Sequence, residues 1–157
     1  MKIKLITTGR TETAWIREGM DIYISRLKHY APFSVIEIPE LKNVSSLTKD
    51  MIKIKEGELI LKNISPSDHV ILLDERGKEY SSMEWASLLE SKLFHIGGDL
   101  VFVIGGAYGF DSKVYDRCNG KLSLSRMTFS HQMVRVIFTE QLYRAFTIMK
   151  GEPYHHE

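Results

Sequence analysis

The chain has 157 residues, of which 43% are apolar, 26% are charged and 10% are aromatic. This length fits one folded domain, and the apolar content excludes an intrinsically disordered chain. Its 21 basic and 20 acidic residues give a formal net charge of +1. That balance excludes a strongly basic protein that coats nucleic acid without sequence preference, but it is compatible with a local basic site.

Neither the apolar runs nor the cysteine content is typical of a membrane or secreted protein. The longest apolar runs, such as Val70–Leu73 and Leu100–Ile104, are far shorter than the roughly 20 residues of a membrane-spanning helix. The first residues alternate charged and aliphatic side chains, unlike a signal peptide. Cys118 is the only cysteine, and we interpret it as a small core residue. We therefore expect a cytoplasmic protein without a metal site.

Predicted strands and helices alternate along the chain. In order they are a strand at Lys2–Thr8, a helix at Thr11–His29, a strand at Ser34–Ile38, a helix at Ser46–Asn63, a strand at His69–Asp74, a helix from Ser81 to Phe94, a strand at Leu100–Ile104, a helix at Asp111–Cys118, a strand at Lys121–Ser125 and a helix at His131–Met149. Glu75–Lys78 is expected to break the third strand, and Ser81 with Glu84 forms a capping-box pattern. This alternation predicts an α/β fold, with helices on both faces of a mainly parallel sheet.

Three predicted strands end in segments that could form a site. These segments are Leu73–Gly77, Gly105–Phe110 and Leu124–Phe129. Ligands of open parallel sheets bind outside the carboxyl ends of the strands. The sequence therefore predicts that the three segments meet at one pocket.

The glycine-rich segment Gly105–Gly109 follows a buried strand and precedes a helix. Glycines there could let the backbone approach a ligand closely, or could only form a tight turn, and both interpretations stay open. The chain contains no G-x-x-x-x-G-K-[ST] motif, and no G-x-G-x-x-G follows the first strand. A nucleoside-triphosphatase loop and an ordinary dinucleotide site are therefore excluded.

Residues 122–131 interleave hydroxyl and apolar side chains, and could wrap an amphipathic ligand. The simpler interpretation is that Thr128 or Ser130 caps the helix that follows. His131 and Arg135 are four residues apart and share one side of that helix. They could hold a phosphate group, or could only form a solvated polar face.

The tail Tyr154-His155-His156-Glu157 combines aromatic, titrating and acidic groups. Metal binding is the weaker interpretation, because neighbouring side chains of an extended segment point apart. Pro153 and Tyr154 favour a docked tail over a disordered one. Residues 121–157 carry a net charge of +2 and residues 71–120 a net charge of −3, so an anionic partner is expected at the C-terminal segment.

Taken together, six segments resemble one bacterial family, the ribosomal RNA large subunit methyltransferase H proteins of the SPOUT class. They are Leu73-Asp with Gly77-Lys, Ile104-Gly-Gly-x-x-Gly109, Leu122–Ser125, Thr128–Arg135, Glu140–Ala145 and Pro153–Glu157. The resemblance covers residues 1–157 as a single SPOUT methyltransferase domain. This chain departs from the family pattern at Ser130, where many relatives have proline, and at Arg126, which varies.

The resemblance implies a C-terminal trefoil knot, against the usual rule that chains avoid knots. It implies a homodimer that uses S-adenosyl-L-methionine to methylate N3 of pseudouridine 1915 in helix 69 of 23S rRNA. Because a small, nearly neutral chain makes few phosphate contacts with naked RNA, we expect it to act on assembled ribosomes or subunits. The implied cofactor-binding residues are Leu73, Gly105, Leu124, Ser125, Arg126, Met127, Thr128 and Phe129. The implied RNA-binding residues are His131, Arg135, Tyr154 and Glu157.

Three residues receive catalytic roles as hypotheses from that resemblance. His155 would accept or relay the N3 proton, Arg135 would stabilise the developing negative charge, and Tyr154 would stack on or hydrogen-bond the target base. Two other functions are weighed against this one. They are a phosphate-handling α/β hydrolase that uses the Gly105–Gly109 segment, and a ribosome-binding module without catalysis. The intact pattern of the cofactor loop favours the methyltransferase.

Overall fold

The computed structural model describes residues 1–156. In that range five strands alternate with five α-helices. They are β1 (Ile3–Thr8), α1 (Ala14–Leu27), β2 (Phe33–Ile38), α2 (Lys49–Lys62), β3 (His69–Glu79), α3 (Ser82–His95), β4 (Leu100–Ile104), α4 (Ser112–Arg117), β5 (Gly120–Ser123) and α5 (Met133–Met149). Among these residues no helix is both long and apolar enough to cross a membrane.

The strands form one parallel sheet in the order β2-β1-β4-β3-β5. The central strand β4 is buried along its whole length, because helices cover both faces of the sheet. On one face Leu100, Phe102 and Ile104 pack among α1, α3 and α5. On the other face Val101 and Val103 pack among residues of α2 and α4. The predicted α/β class is confirmed.

The predicted break after Asp74 is wrong, because β3 continues to Glu79. The pairing of β3 with β5 changes register, so that Leu73 and Lys78 both lie opposite Leu122. Gly77 lies against β5 at this bulge, and a Cβ there would come within 2.7 Å of the Lys121 carbonyl carbon. The bulge therefore needs glycine where the two backbones approach.

Helix starts were partly predictable from capping residues. The capping box before α3 is confirmed, since the Ser81 hydroxyl accepts from Glu84 N at 3.1 Å and Ser81 N donates to the Glu84 carboxylate at 2.8 Å. The start predicted for the second helix was too early. A short 3-10 turn occupies Val44–Ser46, and Thr48 then caps α2 by accepting from Met51 N.

The periodicity of the last helix predicts that five apolar side chains face the core, those of Val134, Ile137, Phe138, Ala145 and Ile148, and the buried stripe differs from this in part. Phe138 and Ala145 are buried as expected, whereas Val134, Ile137 and Ile148 are only half-buried. The rest of the buried stripe consists of Arg135, Thr139, Leu142, Phe146 and Thr147. Polar side chains thus take core positions in α5 that periodicity assigns to apolar ones.

Candidate functional site

The bulge of β3 and the carboxyl ends of β4 and β5 surround a cavity of about 560 Å³. Its walls come from residues 73–76 within β3, from residues 104–110 at the end of β4, from residues 122–131 at the end of β5, and from Val134 near the start of α5. The predicted meeting of the three segments at one pocket is confirmed, although the first of them lies inside β3 and not at its end. A cavity of this size can bury a small organic ligand.

The glycine-rich segment forms one wall of the cavity. Gly109 has φ of +83° and donates its N–H to Gly106 O at 3.2 Å, which closes a tight turn. An added Cβ at Gly105 would come within 3.0 Å of the Phe110 ring. The segment is therefore a tight turn, and it also places backbone directly along the cavity.

The opposite wall is a loop that internal hydrogen bonds hold in shape. The Ser123 hydroxyl donates to Ser125 O at 2.8 Å, and the Ser125 hydroxyl accepts from Met127 N at 3.0 Å. The Thr128 hydroxyl donates to the Glu75 carboxylate at 2.6 Å, which ties the loop to the bulge of β3. The Ser130 hydroxyl accepts from Met133 N at 3.0 Å. Ser130 thus bonds to the first residue of α5, but the N-cap position is Gln132, whose side chain makes no cap bond; the predicted capping by Thr128 or Ser130 is wrong, and Thr128 bonds to Glu75.

Most of the predicted cofactor-binding residues line this cavity, namely Leu73, Gly105, Leu124, Ser125, Met127, Thr128 and Phe129. Arg126 is absent from the lining formed by residues 1–156. Its side chain is 91% exposed and lies 4.0 Å from the Glu79 carboxylate. The contact of these residues with a cofactor stays a prediction.

A hydrogen-bonded group stands at the cavity edge. The Tyr115 hydroxyl donates to Asp74 Oδ2, and Arg76 donates to the Tyr115 hydroxyl at 2.6 Å. Burial by itself raises the pKa of Asp74, but the bonds from Tyr115 and the backbone N–H of Arg76, with the Arg76 charge, hold that pKa below its ordinary value. Asp74 therefore stays ionised and gives this edge a negative charge.

Tyr115 and the link between Glu75 and Thr128 are site features that sequence reasoning missed. Tyr115 reaches the cavity from the short helix α4, and no motif marked it. The Glu75–Thr128 bond joins residues 53 apart in sequence. The interleaved hydroxyls of residues 122–131 were the one sequence feature that pointed to such a bond, but they did not indicate Glu75 as the partner of Thr128.

Arg135 corrects the predicted RNA-side group. His131 is exposed and lines the cavity. The Arg135 side chain is fully buried, and its guanidinium donates to Thr8 O at 3.0 Å, to Gly9 O at 3.1 Å and to the Thr11 hydroxyl at 2.9 Å. The expectation that Arg135 contacts RNA, or stabilises charge on a substrate, is wrong, because every face of the group is enclosed by the fold.

The tail docks on the middle of α5, outside the cavity lining. Tyr154 donates to the Glu140 carboxylate at 3.0 Å, and the Arg144 guanidinium lies 4.7 Å from the Tyr154 ring centre. His155 Nδ1 lies 3.1 Å from Arg144 Nη1. Burial, then hydrogen bonding to Tyr23 and Glu140, raises the pKa of Tyr154. Glu157, the last predicted RNA-binding residue, lies outside the described residues.

The spacing of Glu140 and Arg144, four residues apart, predicts an ion pair on α5, and this pair supports the docking. Arg144 Nε donates to Glu140 Oε1 at 3.0 Å, so the pair that binds the tail is itself bonded across one helical turn. In residues 1–156 no three His, Cys, Asp or Glu side chains are grouped so that they could hold a metal ion. The docked conformation agrees with the prediction from Pro153 and Tyr154.

Comparison with known proteins gives the class of protein that this fold and cavity define. A family model described as "Predicted SPOUT methyltransferase" matches residues 1–155. The chain belongs to the SPOUT methyltransferase family. Enzymes of this family take their methyl group from S-adenosylmethionine.

Curated relatives carry a more specific name than the family model does. The chain is 54% identical to a protein of Bacteroides fragilis and 52% identical to one of Parabacteroides distasonis, each over 100% of both chains. It is 51% identical to a protein of Cytophaga hutchinsonii, over 99% of this chain and 100% of the relative. All three relatives are named "Ribosomal RNA large subunit methyltransferase H".

Solved structures are more distant. A Legionella pneumophila methyltransferase in complex with S-adenosylmethionine has a TM-score of 0.46 and 11% identity, over 95% of this chain and 66% of that one. Archaeoglobus fulgidus Nep1 bound to S-adenosylhomocysteine has a TM-score of 0.44 and 11% identity, over 97% of this chain and 100% of that one. The family assignment is made on the sequence matches alone.

Replacing Arg135 should lower the stability of the fold. Arg135→Ala would leave the carbonyls of Thr8 and Gly9 buried without their donor, so we expect the free energy of unfolding to fall by about 3 kcal/mol. Urea denaturation followed by circular dichroism measures this change. Arg126→Ala, at an exposed position, is the control and should change stability by less than about 0.5 kcal/mol. Equal midpoints and slopes for Arg135→Ala and the wild type would contradict a structural role.

Proposed function

We propose that this chain is a single SPOUT domain, residues 1–157, that methylates N3 of pseudouridine 1915 in helix 69 of 23S rRNA, in assembled ribosomes of the cytoplasm. The observation that carries the proposal is the cavity where the three motif-bearing segments meet, in a chain of a methyltransferase family. Full-length relatives named as large subunit rRNA methyltransferases support the choice of substrate.

The cavity fits S-adenosylmethionine by the chemistry of its walls. Five apolar side chains of the cavity wall can pack against the adenine ring of the cofactor; they are Leu73, Ile104, Leu122, Leu124 and Phe129. The backbone of residues 124–129 offers polar groups to the ring edge, and Asp74 and Glu75 offer carboxylates to the positively charged part of the cofactor. We propose that these residues bind it, in the knotted arrangement that the family resemblance predicts.

In the proposed reaction the chain orients two reactants and removes one proton. Bound S-adenosylmethionine supplies an already activated methyl group. The cavity walls hold the donor, and the open side by His131 admits the base, so alignment is the main contribution of the protein. His155 accepts or relays the N3 proton as a general base. Tyr154 fastens the tail to Glu140, and stacking of its ring on the base would replace the contact with Arg144.

The tail of one chain is too far along α5 to serve the cavity of the same chain. Val134 lines the cavity and Arg144 binds the tail, so about 15 Å of helix separates them at 1.5 Å per residue. We therefore propose that the enzyme is a homodimer in which a tail acts at the cavity of the other protomer.

An exposed apolar surface on α1 and α5 supports this dimer. Trp15 and Ile22, which are 57% and 51% exposed, lie seven residues apart on one side of α1. Between them Gly19 lies against α5, since a Cβ there would come within 2.9 Å of Val136. Met133, 37% exposed, is one turn before Val136. Large apolar side chains grouped across two helices are typical of an interface between protein chains.

Methyl-labelled S-adenosylmethionine tests the proposed reaction. We expect the purified protein to transfer label to ribosomes that lack the helix 69 methylation, and nuclease mapping should place the label on the pseudouridine ring. Protein-free helix 69 stem-loop should be a poor substrate, because a nearly neutral chain makes few phosphate contacts. Equal rates on the stem-loop and the ribosome would refute the requirement for assembled ribosomes.

The same assay separates the alternative functions. Label at another nucleotide would retain the methyltransferase and refute the acceptor. Ribosome association without cofactor binding would indicate a module without catalysis. Turnover of phosphate esters that is indifferent to S-adenosylmethionine would indicate a hydrolase.

Replacing His155 tests the role of the tail. His155→Ala should abolish methyl transfer and leave the dissociation constant for S-adenosylmethionine within about twofold, because the residue is outside the cavity lining and would act on the N3 proton. Activity and isothermal titration measure the two effects. His156→Ala, at the exposed neighbouring histidine, is the matched control and should keep full activity. Unchanged turnover by His155→Ala would reject the proton-transfer role.

Replacing Ile22 tests the dimer. Ile22→Glu places a charge on the α1–α5 surface, so we expect the protein to become monomeric by size-exclusion chromatography with light scattering. Methyl transfer should fall with dimer content. Ile54→Glu is the control, because Ile54 is similarly exposed, at 43%, but lies on α2. A monomeric wild type, or an Ile22→Glu dimer of unchanged affinity, would contradict the proposal.

A further inference from the structure

Two tyrosines at the cavity edge are each accompanied by cations. Lys49 Nζ lies 5.4 Å from the ring centre of Tyr108, which is 45% exposed. The Arg76 guanidinium and Lys121 Nζ lie 5.5 and 5.4 Å from the ring centre of Tyr115. Both tyrosines line the cavity. We call these five residues the aromatic-basic rim.

The cations of the rim are available to a partner. Lys49, Arg76 and Lys121 are exposed. Within residues 1–156, the side chains of Lys49 and Lys121 make no hydrogen bond or ion pair, so their charge is not neutralised by a carboxylate in contact. The ring contacts hold the cationic groups at the cavity mouth and leave their outer sides in solvent.

Two carboxylates, those of Asp74 and Glu75, line the cavity beside the rim, and both are already hydrogen-bonded; Glu75 accepts from the Thr128 hydroxyl at 2.6 Å. Asp74 accepts from Tyr115 and from Arg76 N, and Arg76 Nε lies 3.6 Å from Asp74 Oδ1. Its charge is thus directed toward Tyr115 and Arg76. The outward surface of the rim presents the two lysines and aromatic edges.

We propose that the aromatic-basic rim binds the phosphate backbone of the RNA next to the nucleotide that enters the cavity; this inference rests on the proposed function. Alternating cations and aromatic faces suit unpaired RNA, since the cations meet phosphates and the rings accept a neighbouring base. The three cations of the rim come from three separate segments, which are the start of α2, the bulge of β3 and β5. A chain with a net charge of +1 must concentrate its phosphate-binding charge at such a place.

The test uses Lys49 and Lys121, whose ammonium groups contact a tyrosine ring but make no hydrogen bond or ion pair among residues 1–156. Lys49→Ala, Lys121→Ala and the double variant are compared with Lys62→Ala. Lys62 is an ideal control because it is exposed on the same helix as Lys49 and lies at its opposite end. Binding to ribosomes and to deproteinised 23S rRNA is measured from 50 to 200 mM salt. The dissociation constant for S-adenosylmethionine is measured alongside, to show that the cavity is intact.

We expect each single variant to weaken RNA binding about fivefold and the double variant about 20-fold. The slope of the logarithm of the binding constant against the logarithm of the salt concentration should become shallower by about 0.7 to 0.9 for each lysine removed. Lys62→Ala should bind like the wild type, and cofactor affinity should be unchanged in every variant. A double variant that binds RNA like Lys62→Ala would overturn the proposal.

Other outcomes are also decisive. Weaker binding to ribosomes with unchanged binding to deproteinised rRNA would overturn the proposal in favour of an acidic ribosomal protein as the partner. A wild type that binds neither probe would overturn it as well. Salt-sensitive RNA binding that depends on the two lysines, in a protein that transfers no methyl group, would support the rim and refute the proposed function.

Discussion

The guanidinium of Arg135 joins the two parts of the chain that the site depends on. It lies in the first turn of α5, and it donates to the carbonyls of Thr8 and Gly9 at the end of β1. Among residues 1–156 no carboxylate is in contact with it, and burial lowers its pKa. Its charge is instead solvated by carbonyl and hydroxyl oxygens, which replace water in the interior. Because Val134 lines the cavity, this arrangement sets the position of the cavity wall relative to the sheet.

A second constraint acts at the bulge of β3, and it separates charge across the cavity edge. The bulge places Asp74 and Glu75 at the cavity, where Tyr115 and Thr128 orient their carboxylates. The cations of the aromatic-basic rim lie outside. A positively charged small molecule inside and a polyanion outside would each meet the opposite sign of charge. The near-zero net charge of the chain therefore conceals two local fields of opposite sign.

The sheet and the position of the cavity could be predicted because their signals are local in sequence. Leu100–Ile104 is a short aliphatic run, and its bounds as a buried strand were predicted correctly. The capping box at Ser81 is likewise contained in four residues. The continuation of β3 through Glu75-Arg-Gly-Lys could not be predicted, since Gly77 there serves a contact with β5 that is more than 40 residues distant.

The role predicted for Arg135 was wrong for a related reason. An arginine at the start of a helix, four residues after a histidine, has the same pattern whether it faces solvent or the core. The side chain faces the core here because carbonyls at the end of β1 need a donor. Those carbonyls are more than 120 residues away in the sequence, so the local pattern does not reveal them. Tyr115 was missed because a single aromatic on a short helix has no periodicity to interpret.

Helix α5 connects the remaining parts of the proposed reaction. Its first turn borders the cavity, its buried stripe fills the core, and Glu140 and Arg144 on its middle turns hold the tail. A rigid helix keeps the cavity and the docked tail of one chain about 15 Å apart, so small side-chain motions cannot bring His155 to its own cavity. Catalysis by the tail therefore requires either undocking from Glu140 or a second chain. Undocking would break the bond from Tyr154 to Glu140, whereas a second chain leaves that bond intact. The dimer is thus the arrangement that retains the docked tail and still supplies a base to the cavity.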